Sequence, residues 1–345
     1  MTGRERINTI FNNAQPDHIA FWAGKPTNEA QALYNEKLDV ADEIDFSKAI
    51  GNDAVWVPAE LMAWENAGKP NGRPLWDTAG DFERKALDGM GVFAECETLS
   101  EVEQFNWPDP ETLDFTGVLE YMQTVHKNGM AVFGGPWTYI STLVTEFFGM
   151  EQFFLKLYTD PMIVEAVIDR IVDFYLTANR RFFEQARDEL DVFFFASDLG
   201  TQSDLMISPE QFNQFFLPGF KKIVDLAKEY DLKVMLHSCG AVYKLIPTFI
   251  DIGIDGLHPL QAKAKDMSAE KLASDFKDHL VFVGGVDTQE LLPFASAEEV
   301  KREVTRLIDL FGERYVASPS HEGVLPNVSL ANLRAIKSAA ENYRY

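Results

Sequence analysis

The sequence predicts an α/β fold closed into a (β/α)8 TIM barrel. Three observations carry that prediction. Short β-branched or aromatic runs alternate with amphipathic helical patterns along the whole 345 residues. About eight such units are present, with no linker or shift of composition between them, so residues 1–345 read as one domain. No G-x-G-x-x-G stands at a strand-to-helix turn, which removes the main support for an open dinucleotide-binding sheet.

The eight strands are expected at Ile19–Trp22, Ala54–Val57, Met130–Phe133, Val192–Ala196, Lys233–His237, Gly256–His258, Leu280–Gly284 and Tyr315–Ser318. Val92–Glu95 is a weaker ninth candidate. Continuous apolar runs such as VFFFA and KVMLH suit parallel strands buried on both faces. Ser208-Pro209-Glu210-Gln211 gives a helix start with Ser at the N-cap, Pro at the first position and Gln at the third. Ser296-Ala297-Glu298-Glu299 gives a second start. It opens a helix with Val300, Val304, Leu307, Ile308 and Phe311 on one face and Gly312 as its stop.

Composition narrows the partners. Lys and Arg total 31 against 54 Asp and Glu, a formal charge of -23. Phosphate backbones and anionic lipid repel such a surface, so neither nucleic acid nor membrane is expected as a partner. Cys96 and Cys239 are the two cysteines and make no disulfide framework. The N-terminal stretch has no apolar core of a signal peptide, and no apolar run is long enough to span a bilayer. A cytoplasmic protein is expected.

In a barrel of this kind, chemistry sits where strands end. Lys233–His237 runs into Ser238-Cys239-Gly240, and side chains two apart in extended chain share a face. His237 and Cys239 can therefore meet on one metal ion; the alternative is a buried neutral thiol beside a hydrogen-bonded imidazole. His321 lies at the mouth of the last strand. With His237 and Cys239 it makes three N/S ligands and an open fourth position, as in catalytic zinc sites; alternatively it fixes loop backbone. Asp198, just past Val192–Ala196, is a fourth ligand, a partner to a ligand, a proton carrier, or an Asx turn before Gly200. Gln202, His258, Gln261 and Asp287 also follow strands and are candidate substrate contacts. Trp22, Trp56, Trp137 and Tyr139 stand at early strand ends and can wall a pocket for a flat substrate, or simply pack the core. His18, His126 and His279 read as surface residues.

The ordered set FFFASDLGTQ, ISPEQFNQFFLPGFKKI, LHSCG, GIDGLHPLQ, GGVDTQELLPF and ASPSHEGVLPNVSLANL, with GGPWTYISTLV upstream, resembles the uroporphyrinogen decarboxylase superfamily over essentially the whole chain. The resemblance implies a (β/α)8 barrel and one of two chemistries: cofactor-free decarboxylation of uroporphyrinogen, or zinc-dependent methyl transfer with a cobalamin-carrying protein. The arginine-bearing N-terminal motif of the decarboxylases reads FWAGKPT here, with Trp22 and Lys25 in its place. Their essential Asp falls on Ala59, beside Glu60, and their tyrosine falls on Thr142. Ser197 and His321 do match decarboxylase positions. A porphyrinogen with many carboxylates needs cationic partners that these departures remove. His237 and Cys239 match the methyltransferase ligand pair, while the position of that branch's further Cys is His321. The resemblance thus favours a zinc-dependent, corrinoid-linked methyltransferase. On this reading His237, Cys239 and His321 hold zinc, Asp198, Ser197 and His321 carry the chemistry, and Trp22, Lys25, Trp137, Tyr139, Gln202, His258, Gln261 and Asp287 contact substrate. Cobalamin is expected on a partner protein, and a homodimer is expected by analogy. The alternatives are a decarboxylase of tetrapyrrole metabolism using Ser197 and His321, and a barrel that only binds a corrinoid or tetrapyrrole.

Overall fold

In the computed structural model, residues 1–59, 90–261 and 263–344 are described. Eight strands form one parallel sheet: β1 Ala20–Phe21, β2 Ala54–Pro58, β3 Ala131–Gly135, β4 Val192–Ala196, β5 Lys233–His237, β6 Gly256–Leu260, β7 Val281–Val286 and β8 Tyr315–Pro319. Their order is β1-β8-β7-β6-β5-β4-β3-β2, with helices between successive strands: a (β/α)8 TIM barrel. β4 and β5 match the expected bounds, and the others shift by one or two residues, the usual uncertainty at strand ends.

No ladder joins β1 to β2 in that order, and side chains seal the seam instead. The Asp53 N–H donates to the Phe21 carbonyl, and the Phe21 N–H donates to Asp53 Oδ2 at 2.7 Å. The Ala23 N–H donates to Asn52 Oδ1 at 2.8 Å. Arg6, on the helix Gly3–Phe11, pairs with Asp53 from below in near-complete burial.

Alternation along the strands sorts the core into two layers. Ala20, Trp22, Ala54, Ala131, Phe133, Val192, Phe194, Met235, Val281, Val283 and Val316 fill the barrel, and Ile7, Ile10 and Phe11 of the first helix plug its lower end. Gly256 leaves room for that plug: a Cβ there would stand 2.9 Å from the Phe11 ring. The opposite faces of the strands pack against the surrounding helices, whose long member is Pro161–Ala186.

Both expected helix starts form. Ser296 accepts the Glu299 N–H and caps Ala297–Phe311, which buries the five predicted residues and ends at Gly312. Ser208 accepts the Gln211 N–H, but the helix it opens is not uniform. Phe212–Phe216 is a π turn in which the Leu217 N–H reaches back to Phe212. Pro218 has no N–H to give the regular ladder, and a wider turn absorbs the loss.

Two expectations fail. Val92–Glu95 is a turn, not a strand. Phe93 belongs to an aromatic cluster outside the barrel wall, where it meets Phe105, Trp107, Phe147 and Phe148, while Val92 is exposed. His126 is not a surface residue: its ring nitrogens lie 2.8 Å from Glu189 and 2.8 Å from Asp191, with the side chain almost fully buried. His279 is exposed, and His18 is half-buried. Glu60 lies outside the described residues. Cys96 and Cys239 are both free thiols. Among the described residues no helix is long and apolar enough to cross a membrane.

Candidate metal centre at the barrel mouth

β4 and β5 pair in register from Val192–Lys233 to Ala196–His237. Their loops therefore leave the barrel side by side. Two glycines let the loops touch. A Cβ on Gly200 would lie 2.6 Å from the Ala241 nitrogen, and one on Gly240 would lie 2.3 Å from the Gly200 carbonyl carbon. Gly240 has φ +87°, a conformation that side chains rarely tolerate. The Ala241 N–H donates to Thr201 O and the Cys239 N–H donates to Asp198 Oδ1 at 2.9 Å, locking the approach.

This contact gathers Asp198, His237 and Cys239, whose ligand atoms all lie within 4.8 Å of one another. Cys239 Sγ is 3.5 Å from His237 Nε2, and Asp198 Oδ1 is 3.3 Å from the same nitrogen. Ligands on a tetrahedral zinc, with bonds of about 2.0–2.3 Å, stand roughly 3.3–3.7 Å apart. The donor set of thiol, imidazole and carboxylate also suits zinc, so these residues fit the ion.

On its other side His237 meets a second group. Its Nδ1 is 3.0 Å from His258 Nδ1 and 3.6 Å from Glu322 Oε2. One nitrogen of an imidazole serves one ion. An ion at Nε2 leaves Nδ1–H to donate toward His258 or Glu322, which fixes the ring as partners of metal-bound histidines do. His258 then carries its proton on Nε2. That atom, Glu322 Oε2, Trp56 Nε1 and Ser318 Oγ are buried without hydrogen-bond partners. Such atoms in a barrel mouth mark places that a bound molecule or water completes.

The charges follow from this arrangement. Burial alone would lower the His237 pKa, but the Glu322 charge, the Asp198 hydrogen bond and Cys239 outweigh it and hold the imidazole well above its ordinary range. Burial, with the charges of His237 and His321, pushes His258 well below its ordinary range, so it is neutral. Burial works to raise Asp198, yet its hydrogen bond with His237 and the His237 charge bring it down to about 2. Burial pushes the Cys239 thiol up, and His237 offsets this only in part.

The remaining predicted residues fall in different places. His321 is outside both groups: its Nδ1 accepts the Gly323 N–H at 2.9 Å, and its ring centre is 6.4 Å from that of His237. Ser197 is fully buried, with its Oγ accepting the Ser141 N–H at 2.8 Å. Lys25 is spent on Glu43, at 2.8 and 3.0 Å. Asp287 caps the backbone of Gln289, Glu290 and Leu291 and pairs with Lys263 at 3.2 Å. Gln261 Oε1 accepts the Gly240 N–H at 2.7 Å, so it braces the ligand loop. The Gln202 side chain is exposed near the same loop. Trp22 is buried under the mouth, 5.2 Å from the His258 ring, while Trp137 and Tyr139 are half-buried. Glu322 was missed in the sequence, although it directly follows His321. It enters the site because its carbonyl accepts the Lys25 N–H at 2.7 Å and so joins the end of β8 to that of β1.

A barrel with a thiol–imidazole–carboxylate group at its strand C-termini, its imidazole buried and its carboxylate open to solvent, is an enzyme-like scaffold. The chain belongs to the uroporphyrinogen decarboxylase (URO-D) family, whose model matches residues 82–343. It is 26% identical over 331 residues to methylcobamide:CoM methyltransferase MtbA of Methanosarcina mazei, covering 94% of this chain and 88% of that one. It is also 26% identical over 196 residues to the MtbA of Methanosarcina acetivorans, a match over 56% of this chain and about half, 54%, of the relative. A solved methyltransferase from Methanosarcina mazei superposes with a TM-score of 0.67 at 16% identity, over 99% of this chain and 98% of the other, and shares the fold.

Proposed function

We propose that this protein is a zinc-dependent methyltransferase, acting as one barrel domain in the cytoplasm, that moves a methyl group between a small compound and a corrinoid carried by a partner protein. The observation that carries the proposal is the meeting of Asp198, His237 and Cys239 within 4.8 Å at the C-terminal end of the barrel. The methyltransferase names of the similar proteins support the same reading.

His237 Nε2, Cys239 Sγ and an Asp198 oxygen would hold the ion, with one position left for substrate. Zinc in such a place supplies Lewis acidity that turns a bound thiol into a thiolate. The protein's own part is orientation and charge. Cys239 would have to give up its proton to hold the ion, which its raised pKa opposes. His258 and Glu322 hold the His237 ring by its Nδ1. Trp137, with Trp56, walls the mouth on one side. His321, partly exposed and outside the proposed ligand group, would be free to contact substrate instead. Ser197, with its hydroxyl engaged behind the wall, gives the decarboxylase reading no support.

The test is anaerobic incubation of zinc-loaded protein with methylcobalamin and a series of small thiols, following loss of the methylcobalamin spectrum. Zinc-dependent formation of the methyl thioether is expected. Zinc-loaded protein that passes no methyl group from methylcobalamin to any of the thiols, and none from any methylated donor to the reduced corrinoid, would refute the proposal.

A further inference from the structure

Beside the metal centre lies an aromatic corner that the reading so far uses only as a wall. Phe194, inward on β4, is its floor. Trp56, Trp137, Trp22, His237 and His258 all stand with ring centres 5.3–6.2 Å from it. Trp56 and Trp137 are the half-exposed members, 4.8 Å apart with an interplanar angle of 61°, so their surfaces form two sides of a corner. Trp137 is 5.9 Å from the His237 ring, which puts this corner against the metal centre. The unpartnered Nε1 of Trp56 and Nε2 of His258 in the same wall are N–H donors, which water rather than a cation would complete.

The charge around the corner is negative. Asp198, Glu322 and a Cys239 thiolate are three negative groups, against two charges on a divalent ion. Among the described residues no lysine balances them: Lys25 is held by Glu43, and Lys263 by Asp287 and Glu290. An anionic substrate would leave water for a site that repels it. Tryptophan faces beside carboxylates instead suit a cation without N–H donors, whose positive charge is spread over methyl groups.

We propose that the small compound is a methylated onium ion, an alkylated ammonium or sulfonium, with its methyl groups seated against Trp56 and Trp137: one methyl would pass to the reduced corrinoid, whose electron pair forms the new bond, and the neutral amine or thioether would leave with the pair of the broken C–N or C–S bond. This rests on the methyltransferase reading above and names its substrate class. The ring faces attract the charge, the methyl groups bury apolar surface, and Asp198 and Glu322 supply the field. Trp137 sets specificity here and leaves the metal ligands alone.

Calorimetric titration of zinc-loaded protein tests it with four probes: tetramethylammonium, trimethylsulfonium, neopentyl alcohol as the neutral ligand of similar shape, and methanesulfonate. The cations should bind on the order of tenfold tighter than the alcohol, and methanesulfonate should bind most weakly. The two cations show which onium is preferred. Trp137→Leu should reduce the cations to the affinity of the alcohol, and Trp137→Phe should keep part of the preference. Equal binding of cation and alcohol, tighter binding of methanesulfonate, or no binding of either cation overturns the inference, and none of these needs a variant to fold. Zinc content of the same samples separates the two readings. Protein that holds zinc without preferring cations defeats the onium assignment alone. Protein that prefers cations without holding zinc supports the assignment and defeats the metal reading.

Discussion

At the residue scale, His237 is the hinge of the account because its two nitrogens face two different groups. Without an ion its proton balances Asp198 and Glu322. Its folded pKa is raised, so the stabilisation it provides is complete below the unfolded value of about 6.5 and is lost as pH rises through the folded one. The Cys239 thiol, also raised, loses its contribution in the same direction, at higher pH. Asp198, held down to about 2, keeps its contribution until the pH falls well into the acid range. In metal-free protein, therefore, His237→Gln should lower the thermal midpoint more at pH 6 than at pH 9. An equal loss at both, or a larger loss at pH 9, contradicts the charge assignment. Zinc affinity should run the other way and rise with pH, because binding displaces protons from Cys239 and His237.

Individual elements show how the sequence could be read and where it could not. β4 and β5 are legible because VFFFA and the VML of KVMLH are apolar, and His237 ends β5 at the expected place, two residues before Cys239. The capping box at Ser296 is legible because the chemistry of a helix start is local. Val92–Glu95 misleads, since an apolar run has the same composition whether it lines a barrel or joins a surface aromatic cluster. Asp198, one of whose expected roles is that of a fourth ligand, comes within 4.8 Å of His237 and Cys239 through a contact between loops far apart in the chain, while His321 stands apart from them. The Gly200–Gly240 approach, which no local pattern reveals, decides the first place, and the Gly323 N–H, two residues along, holds His321 in the second. The β1–β2 seam is invisible for the same reason: Asp53 looks like a loop residue, yet it closes the barrel. Breaking its buried pair by Arg6→Ala leaves the carboxylate with only Lys337, at 4.0 Å, as a charged partner and should cost up to about 3–5 kcal/mol. Denaturant titration checks this; a loss below about 1 kcal/mol, the worth of an ordinary surface pair, would show that the seam is held by other means.

For the whole molecule, charge and cation placement argue against a substrate with many carboxylates. A chain of charge -23 with Lys25 bound to Glu43 offers no forked cation where the decarboxylases carry arginines. Uroporphyrinogen supplied anaerobically should give no coproporphyrinogen; turnover approaching about 1 per second, an ordinary enzyme rate, would restore the decarboxylase reading. Assembly is expected to be a cyclic pair, and light scattering at micromolar concentration should report twice the chain mass of 39.0 kDa, whereas a monomer mass rules the pair out.

The most direct test of the central claim is zinc-edge X-ray absorption on purified protein, with metal content measured alongside. The account predicts about one zinc per chain, bound by a single sulfur with nitrogen and oxygen completing the set. That sulfur should vanish in Cys239→Ser, metal content should collapse in His237→Ala, and His321→Ala should leave the spectrum unchanged. Protein that takes up no zinc, or zinc bound without sulfur, contradicts it.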